Sequence, residues 1–126
     1  MKQKLQFESA WDRTIADKDR KEIIEVFRNT EIKPKRISFT PLKQAINHKR
    51  ELLITVLMHN STQEDFTFNQ TNLSYSKNNQ VRAAATFYLP SLTIEKGTSM
   101  PWTFIFPSYQ KGNNETYKDG KLFFNN

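Results

Sequence analysis

The chain contains no cysteine and only three glycines, and no hydrophobic run reaches the length of a membrane-spanning helix. Without cysteine there are no disulfides, iron–sulfur clusters, thiolate zinc sites or cysteine nucleophiles. So few glycines argue against a glycine-rich loop that cradles phosphates. The N-terminus starts basic, but no apolar run of signal-peptide length follows it. We therefore expect a cytoplasmic protein.

The residue types that carry most catalytic and metal chemistry are sparse and scattered. His48 and His59 are eleven residues apart, and neither has a carboxylate at ligand spacing. The acids that a catalytic carboxylate pair would draw on lie far apart and are better explained as surface charges: Glu51, Glu64, Asp65 and Glu95. We expect no catalytic residue, metal, cofactor or small-molecule substrate, and hence no enzyme.

Positive charge is concentrated at one place. The chain carries a net charge of +6 at pH 7, and the whole excess lies in residues 1–50. Residues 32–50 contain no acid and hold six cations, Lys33, Lys35, Arg36, Lys43, Lys49 and Arg50. This stretch predicts a face that binds an acidic protein. The alternatives are a nucleic acid, an anionic membrane surface, or merely solvated lysines; nucleic-acid modules usually add exposed aromatics, and only Phe39 lies here.

One helix is predicted near the N-terminus, over about residues 17–29. Ile23, Ile24 and Phe27 fall on one stripe at helical spacing, while charged residues occupy the opposite side. Pro34 prevents the helix from extending much beyond Asn29. Its apolar stripe requires burial against a sheet.

From Arg36 onward the apolar period changes to two. A short strand at Ile37 and Phe39 is expected to end at Pro41. Residues 51–60 are continuously apolar in their middle, which predicts either a central strand covered on both faces or a strand crossing the core. Later strands are predicted at residues 66–75, with a bulge near Gln70, at 81–89, ending at Pro90, and at 92–94. This pattern predicts a mainly β protein: an immunoglobulin-like antiparallel β-sandwich with one N-terminal amphipathic α-helix.

The stretch between Pro101 and Pro107 is the most specific strand signal. Trp102, Phe104 and Phe106 alternate on one face, and the prolines mark strand ends or an edge. Both tryptophans could instead be exposed for ligand binding, but we expect them in the core. The predicted core residues are Trp11, Ile23, Ile24, Phe27, Leu53, Val56, Trp102, Phe104 and Phe106.

The chain length fits one domain, which we place at residues 1–109. Residues 110–126 are rich in Asn and charge and are expected to be a tail that is partly ordered at most. Tyr117 and the final Leu122, Phe123 and Phe124 are the exception. They predict a last strand or a contact with a partner.

Four blocks of this sequence resemble the SLAP domain of S-layer assembly proteins linked to the accessory secretion system of Gram-positive bacteria. They cover roughly residues 7–109 in a consistent order. The blocks are Trp11 ahead of the charged helix 17–28, the connector Ile32-Lys33-Pro34-Lys35-Arg36-Ile37-Ser38, the strand Leu53-Ile54-Thr55-Val56-Leu57-Met58-His59-Asn60-Ser61, and the stretch from Ile94 to Pro107 with Pro101-Trp102-Thr103-Phe104.

The resemblance implies a β-rich, non-enzymatic protein-interaction module that assists export or assembly of surface-layer or other surface proteins from inside the cell. Those assembly proteins carry the domain as a tandem pair, whereas this chain holds one copy. A lone copy is expected either to meet another protein partner or to associate with itself.

Overall fold

The computed structural model describes residues 3–107 and 120–124. The elements are, in chain order, β1 (Lys4–Leu5), α1 (Ser9–Thr14), α2 (Asp17–Asn29), β2 (Ile37–Ile46), β3 (Leu52–Asn60), β4 (Phe66–Lys77), β5 (Gln80–Ile94), β6 (Thr98–Phe106) and β7 (Lys121–Phe124). The expected domain boundary at residue 109 stays a prediction, and Tyr117 and most of the expected tail lie outside the described residues.

Two sheets form the sandwich, so the predicted fold class is confirmed. The first sheet has the strand order β1-β6-β3-β2 and the second β5-β4-β7. All pairings are antiparallel except that of β1, which lies parallel to β6 with Lys4 opposite Thr98. Strand β1 was not predicted, since a two-residue strand leaves no periodic signal in the sequence.

The core lies between the inner faces of the two sheets. Ile54, Val56 and Met58 of β3 and Phe104 and Phe106 of β6 are all buried there. The ring of Phe104 is the centre of an aromatic cluster, with ring centroids 5.3 Å from Phe68, 5.1 Å from Phe87 and 6.2 Å from Phe39. The alternation of β6 therefore points its phenylalanines into the core.

The outer face of the first sheet is covered by the helical segment. Helix α2 has the predicted bounds, and Ile23 is its buried residue, while Ile24 and Phe27 are half-buried. Thr55 and Leu57, which alternate with the core residues of β3, are also buried. Leu53 lies on the same outer face and is only half-buried, so its predicted place in the core is wrong. Both faces of β3 are thus covered, which explains its continuous apolar run.

A second helix, α1, was not expected from the sequence. The carboxylate of Glu8 caps it by accepting hydrogen bonds from the backbone N–H of Ala10 at 2.8 Å and of Trp11 at 3.3 Å. Six residues are too few to show a helical period. The helix places the half-buried Trp11 against the half-buried Trp102, with ring centroids 6.5 Å apart.

The prediction that Pro101 marks a strand end or an edge is wrong, because Pro101 lies opposite Leu57 inside β6, between β1 and β3. Two further prolines that were expected to end strands, Pro41 and Pro90, also lie inside them. Strand β2 continues past Pro41, where the register with β3 shifts, and β5 continues past Pro90, where the register with β4 jumps between Thr67 opposite Thr93 and Phe68 opposite Leu89. Both strands are at the edge of their sheets. An edge strand tolerates the missing N–H of proline because one side of its backbone has no ladder to complete.

One turn and one bulge that the sequence predicts are present in the structure. The β4–β5 hairpin turns through Asn78 and Asn79 with φ of 53° and 63°, the left-handed conformation that asparagine tolerates and a two-residue hairpin loop requires. Gln70 has φ of 50° where the register of β4 shifts between Phe68 and Thr71, so the predicted bulge is confirmed.

Candidate protein-interaction site

The basic connector between α2 and β2, residues 33–36, is held in place by one side chain. The hydroxyl of Ser61 donates to the carbonyl oxygens of Lys33 at 2.6 Å and Arg36 at 3.0 Å, and the backbone N–H of Arg36 donates to the same hydroxyl at 3.1 Å. Lys35 adopts φ of 57° at the turn. The exposed cations Lys33, Lys35 and Arg36 therefore extend from a backbone fixed to the end of β3.

A cleft of about 660 Å³ opens where the edge strand β2 of the first sheet faces the edge strand β7 of the second. This β2–β7 cleft lies between the two sheets at their edges. Its lining residues are Lys33, Arg36, Ile37, Ser38, Phe39 and Pro41 from the connector and β2, and Gly120, Lys121, Leu122, Phe123 and Phe124 from the segment that forms β7. The connector and the last described strand thus meet in one concave surface.

Aromatic rings form the floor of the β2–β7 cleft and join it to the core. The ring centroid of Phe124 lies 5.3 Å from that of Phe39 and 5.8 Å from that of Phe66. Phe39 in turn contacts the central Phe104. Because these rings are fixed by the packed interior, the floor is a rigid apolar surface.

The rim of the β2–β7 cleft is cationic. Its charged lining residues are Lys33, Arg36 and Lys121. In the part of the chain that the structure describes, no acidic residue lines the cleft. The ion pair found in residues 3–107 and 120–124 joins Arg20 to Asp12 on the helices, so it does not neutralise this rim. Three positive charges beside an apolar floor favour a ligand that is both acidic and apolar.

The six predicted partner-binding cations do not form one surface. Lys33, Lys35 and Arg36 lie together at the start of β2, and Lys33 and Arg36 line the cleft. Lys43 instead lies beside α2, lining a recess of about 170 Å³ with Asp19 and Glu22.

Lys49 and Arg50 lie in the hairpin at the far end of β2. A ten-residue strand spans about 30 Å, so these two cations are remote from the connector. Lys121, in contrast, was not among the expected cations. The Leu122-Phe123-Phe124 signal for a final strand was the clue that could have placed it beside β2.

His59 is a buried residue at the end of β3. Its Nδ1 lies 2.7 Å from the hydroxyl of Ser99 and its Nε2 lies 2.7 Å from the hydroxyl of Thr40. Burial lowers the pKa of His59 from 6.5 to about 4, because desolvation disfavours the charged ring. The neutral imidazole thus bridges β2, β3 and β6.

The remaining titratable candidates are spread over both ends of the sandwich. Glu51 accepts a hydrogen bond from Asn47 at 2.8 Å in the hairpin that also contains His48, whereas Asp65 accepts one from the backbone N–H of Lys96 at the opposite end. Glu64 and Glu95 are exposed at that opposite end. Within the described ranges no group of three or more His, Asp or Glu residues is placed to hold a metal ion.

Asn60, which precedes Ser61, organises the same end of β3. Its side-chain amide donates to the carbonyl oxygens of Glu64 at 2.9 Å and Ile94 at 2.8 Å, and its oxygen accepts from the hydroxyl of Thr62 at 2.6 Å. The Asn60-Ser61 pair therefore joins the connector, the turn after β3 and the end of β5.

A family model described as the SLAP domain matches residues 5–123 of this chain. The match begins in β1 and ends in β7, so it includes both helices and both sheets. No curated protein and no solved structure matches the chain. Among the described residues, no helix is long and apolar enough to cross a membrane.

Proposed function

Since this chain belongs to the SLAP domain family, we propose that it is a non-enzymatic module that binds an acidic protein partner. The partner is a surface-layer protein or another surface protein of a Gram-positive bacterium, and binding in the cytoplasm assists its export or assembly. Such a module needs a surface that selects a partner and no reacting group.

The observation that carries this proposal is the cationic rim of the β2–β7 cleft. Lys33 and Arg36 of the connector and Lys121 of the second sheet converge on one apolar surface. Complementary charge steers an acidic partner to the site, and apolar contact then provides affinity. The described residues that line the cleft include neither a histidine nor a carboxylate, the usual general bases, which supports binding over catalysis.

The triple variant K33E/K35E/R36E is expected to weaken partner binding by about tenfold or more, because the rim then repels an acidic surface. The partner is first captured from the native cytoplasm with the wild-type chain and identified. Its affinity for the wild-type and variant chains is then measured by isothermal titration calorimetry.

The matched control is R13E/K18E/K21E, which makes the same charge change at exposed positions on α1 and α2. It should bind within a factor of about two of the wild type, since surface charges far from an interface contribute little. Equal affinity of K33E/K35E/R36E and the wild type would contradict a role for the connector.

The basic stretch also leaves a nucleic-acid or anionic membrane-surface ligand as a second candidate. The three exposed cations of the connector favour it, but Lys49 and Arg50 lie at the other end of β2 and do not extend that patch. A single-stranded RNA and phosphatidylglycerol vesicles are the probes. Affinity for either that falls steeply with salt, and exceeds that for the captured protein, would replace the first proposal.

A further inference from the structure

We propose that the β2–β7 cleft binds its partner as an added β-strand, an extended acidic segment that pairs with residues 37–40 of β2. This inference rests on the proposed function and specifies how the partner is bound. Main-chain hydrogen bonds would supply affinity, and the cleft would select the side chains.

The hydrogen-bonding pattern of β2 identifies which backbone groups are available. The backbone N–H of Ser61 donates to the carbonyl oxygen of Arg36 at 3.1 Å, so Arg36 faces Ser61 in a hydrogen-bonded pair. In an antiparallel ladder such pairs alternate with pairs whose backbone groups point away. The N–H and C=O of Ile37 and Phe39 therefore point away from β3, and β3 is the one neighbour of β2 among the described strands.

Pro41 limits the length of this free edge. It follows Ile37 and Phe39 in the same alternation, so the position that would present the next outward N–H has none. The register shift between Pro41 and Lys43 then interrupts the strand. The edge that a partner can use is thus the segment from the connector to Thr40, about 13 Å of strand.

The cleft determines which side chains the added strand carries. Alternate side chains of an extended segment point to the same face, so those on one face would lie on the Phe39 and Phe124 rings. Lys33 and Arg36 beside the free edge and Lys121 across the cleft would pair with carboxylates. The expected ligand therefore alternates apolar and acidic residues.

Charge and hydrogen bonding favour this occupant over two others. A second copy pairing through β2 would offer no carboxylate to the cationic rim, because residues 32–50 contain no acid, and it would add its own cations to the same edge. The acyl chain of a lipid would cover the apolar floor but offers no donor or acceptor to the Ile37 and Phe39 backbone groups. An extended acidic peptide satisfies the rim, the floor and the edge together.

The test begins with a displayed library of random twelve-residue peptides, selected against the full chain. Selected sequences are expected to be acidic and to alternate with apolar residues. The tightest peptide is then synthesised in two N-methylated forms. In its central part, one form is methylated at the odd-numbered backbone amides and the other at the even-numbered ones. One form should lose about tenfold or more in affinity and the other should bind like the parent, because only one set of amides faces β2.

Lys121→Glu tests whether the peptide binds in the β2–β7 cleft, since Lys121 lies on the second sheet and outside the connector. It should weaken the parent peptide by about threefold or more, whereas the exposed control Lys96→Glu should not. Equal effects of the two N-methylated forms, or no effect of Lys121→Glu, would overturn strand addition in the cleft. The proposed function would still hold in that case if K33E/K35E/R36E weakened binding of the captured partner, because that variant tests the connector and not strand addition.

Selection of peptides with no acidic preference would also overturn this inference. Sedimentation velocity provides the remaining comparison: a dimer that dissociates when the peptide is added would place a second copy of this chain in the cleft instead.

Discussion

Phe104→Ala is expected to lower the free energy of unfolding by about 3–5 kcal/mol, the cost of deleting a large buried aromatic side chain. Phe104 is 1% exposed and its ring contacts those of Phe39, Phe68 and Phe87. These rings come from β2, β4 and β5, so the remaining cavity would lie between both sheets, where the backbone cannot collapse to fill it. Urea unfolding followed by tryptophan fluorescence measures the change.

The neighbouring residue provides a matched control for Phe104→Ala. Ile105 is 48% exposed on the same strand, and Ile105→Ala should cost less than about 1 kcal/mol, because most of its surface is already in water. Similar losses for the two variants would contradict the assignment of Phe104 to the centre of the core. Phe104→Ala is also expected to weaken binding of the captured partner, because the Phe104 ring contacts the Phe39 ring in the floor of the β2–β7 cleft. Isothermal titration calorimetry measures that effect.

Acidification is expected to destabilise the protein through His59. Its pKa is about 4 in the folded chain and 6.5 in the unfolded chain, so below pH 6.5 the unfolded state takes up a proton that the folded state does not. This contribution is constant above pH 6.5 and decreases as the pH falls towards 4. Each unit corresponds to about 1.4 kcal/mol, which gives a loss of about 2 kcal/mol at pH 5.

The variant His59→Gln isolates that contribution, because glutamine can hydrogen-bond to Thr40 and Ser99 but does not titrate. The difference in unfolding free energy between wild type and variant should shrink by about 2 kcal/mol between pH 7 and pH 5. Carboxylates titrate in both proteins and cancel in this difference. A flat difference for His59→Gln would mean that the imidazole has the same pKa in the folded and the unfolded chain.

Several elements could be predicted from the sequence because each rests on local chemistry. Helix α2 has an apolar stripe, acids in its first turn and Pro34 beyond its end, and its bounds are as predicted. The apolar run of β3 and the alternation of β6 identify strands directly, and Phe104 and Phe106 lie in the core. The bulge near Gln70 is visible where the apolar period slips.

Other features could not be predicted, because they depend on neighbours in space. Pro41 and Pro90 were expected to end strands, and the sequence does not show that β2 and β5 are edge strands, where proline is tolerated. Helix α1 depends on a six-residue segment capped by Glu8. Its presence places Trp11 against Trp102.

The sequence by itself determined the family, the sandwich, the main helix and the concentration of positive charge before residue 50. Only the tertiary structure divided that charge, placing Lys33 and Arg36 in the β2–β7 cleft with Lys121 and leaving Lys49 and Arg50 at the far end of β2. The physical reason is that strand pairing sets which edges face each other. Residues 33–41 and 120–124 meet in the cleft because β2 and β7 are edge strands of different sheets packed over one core.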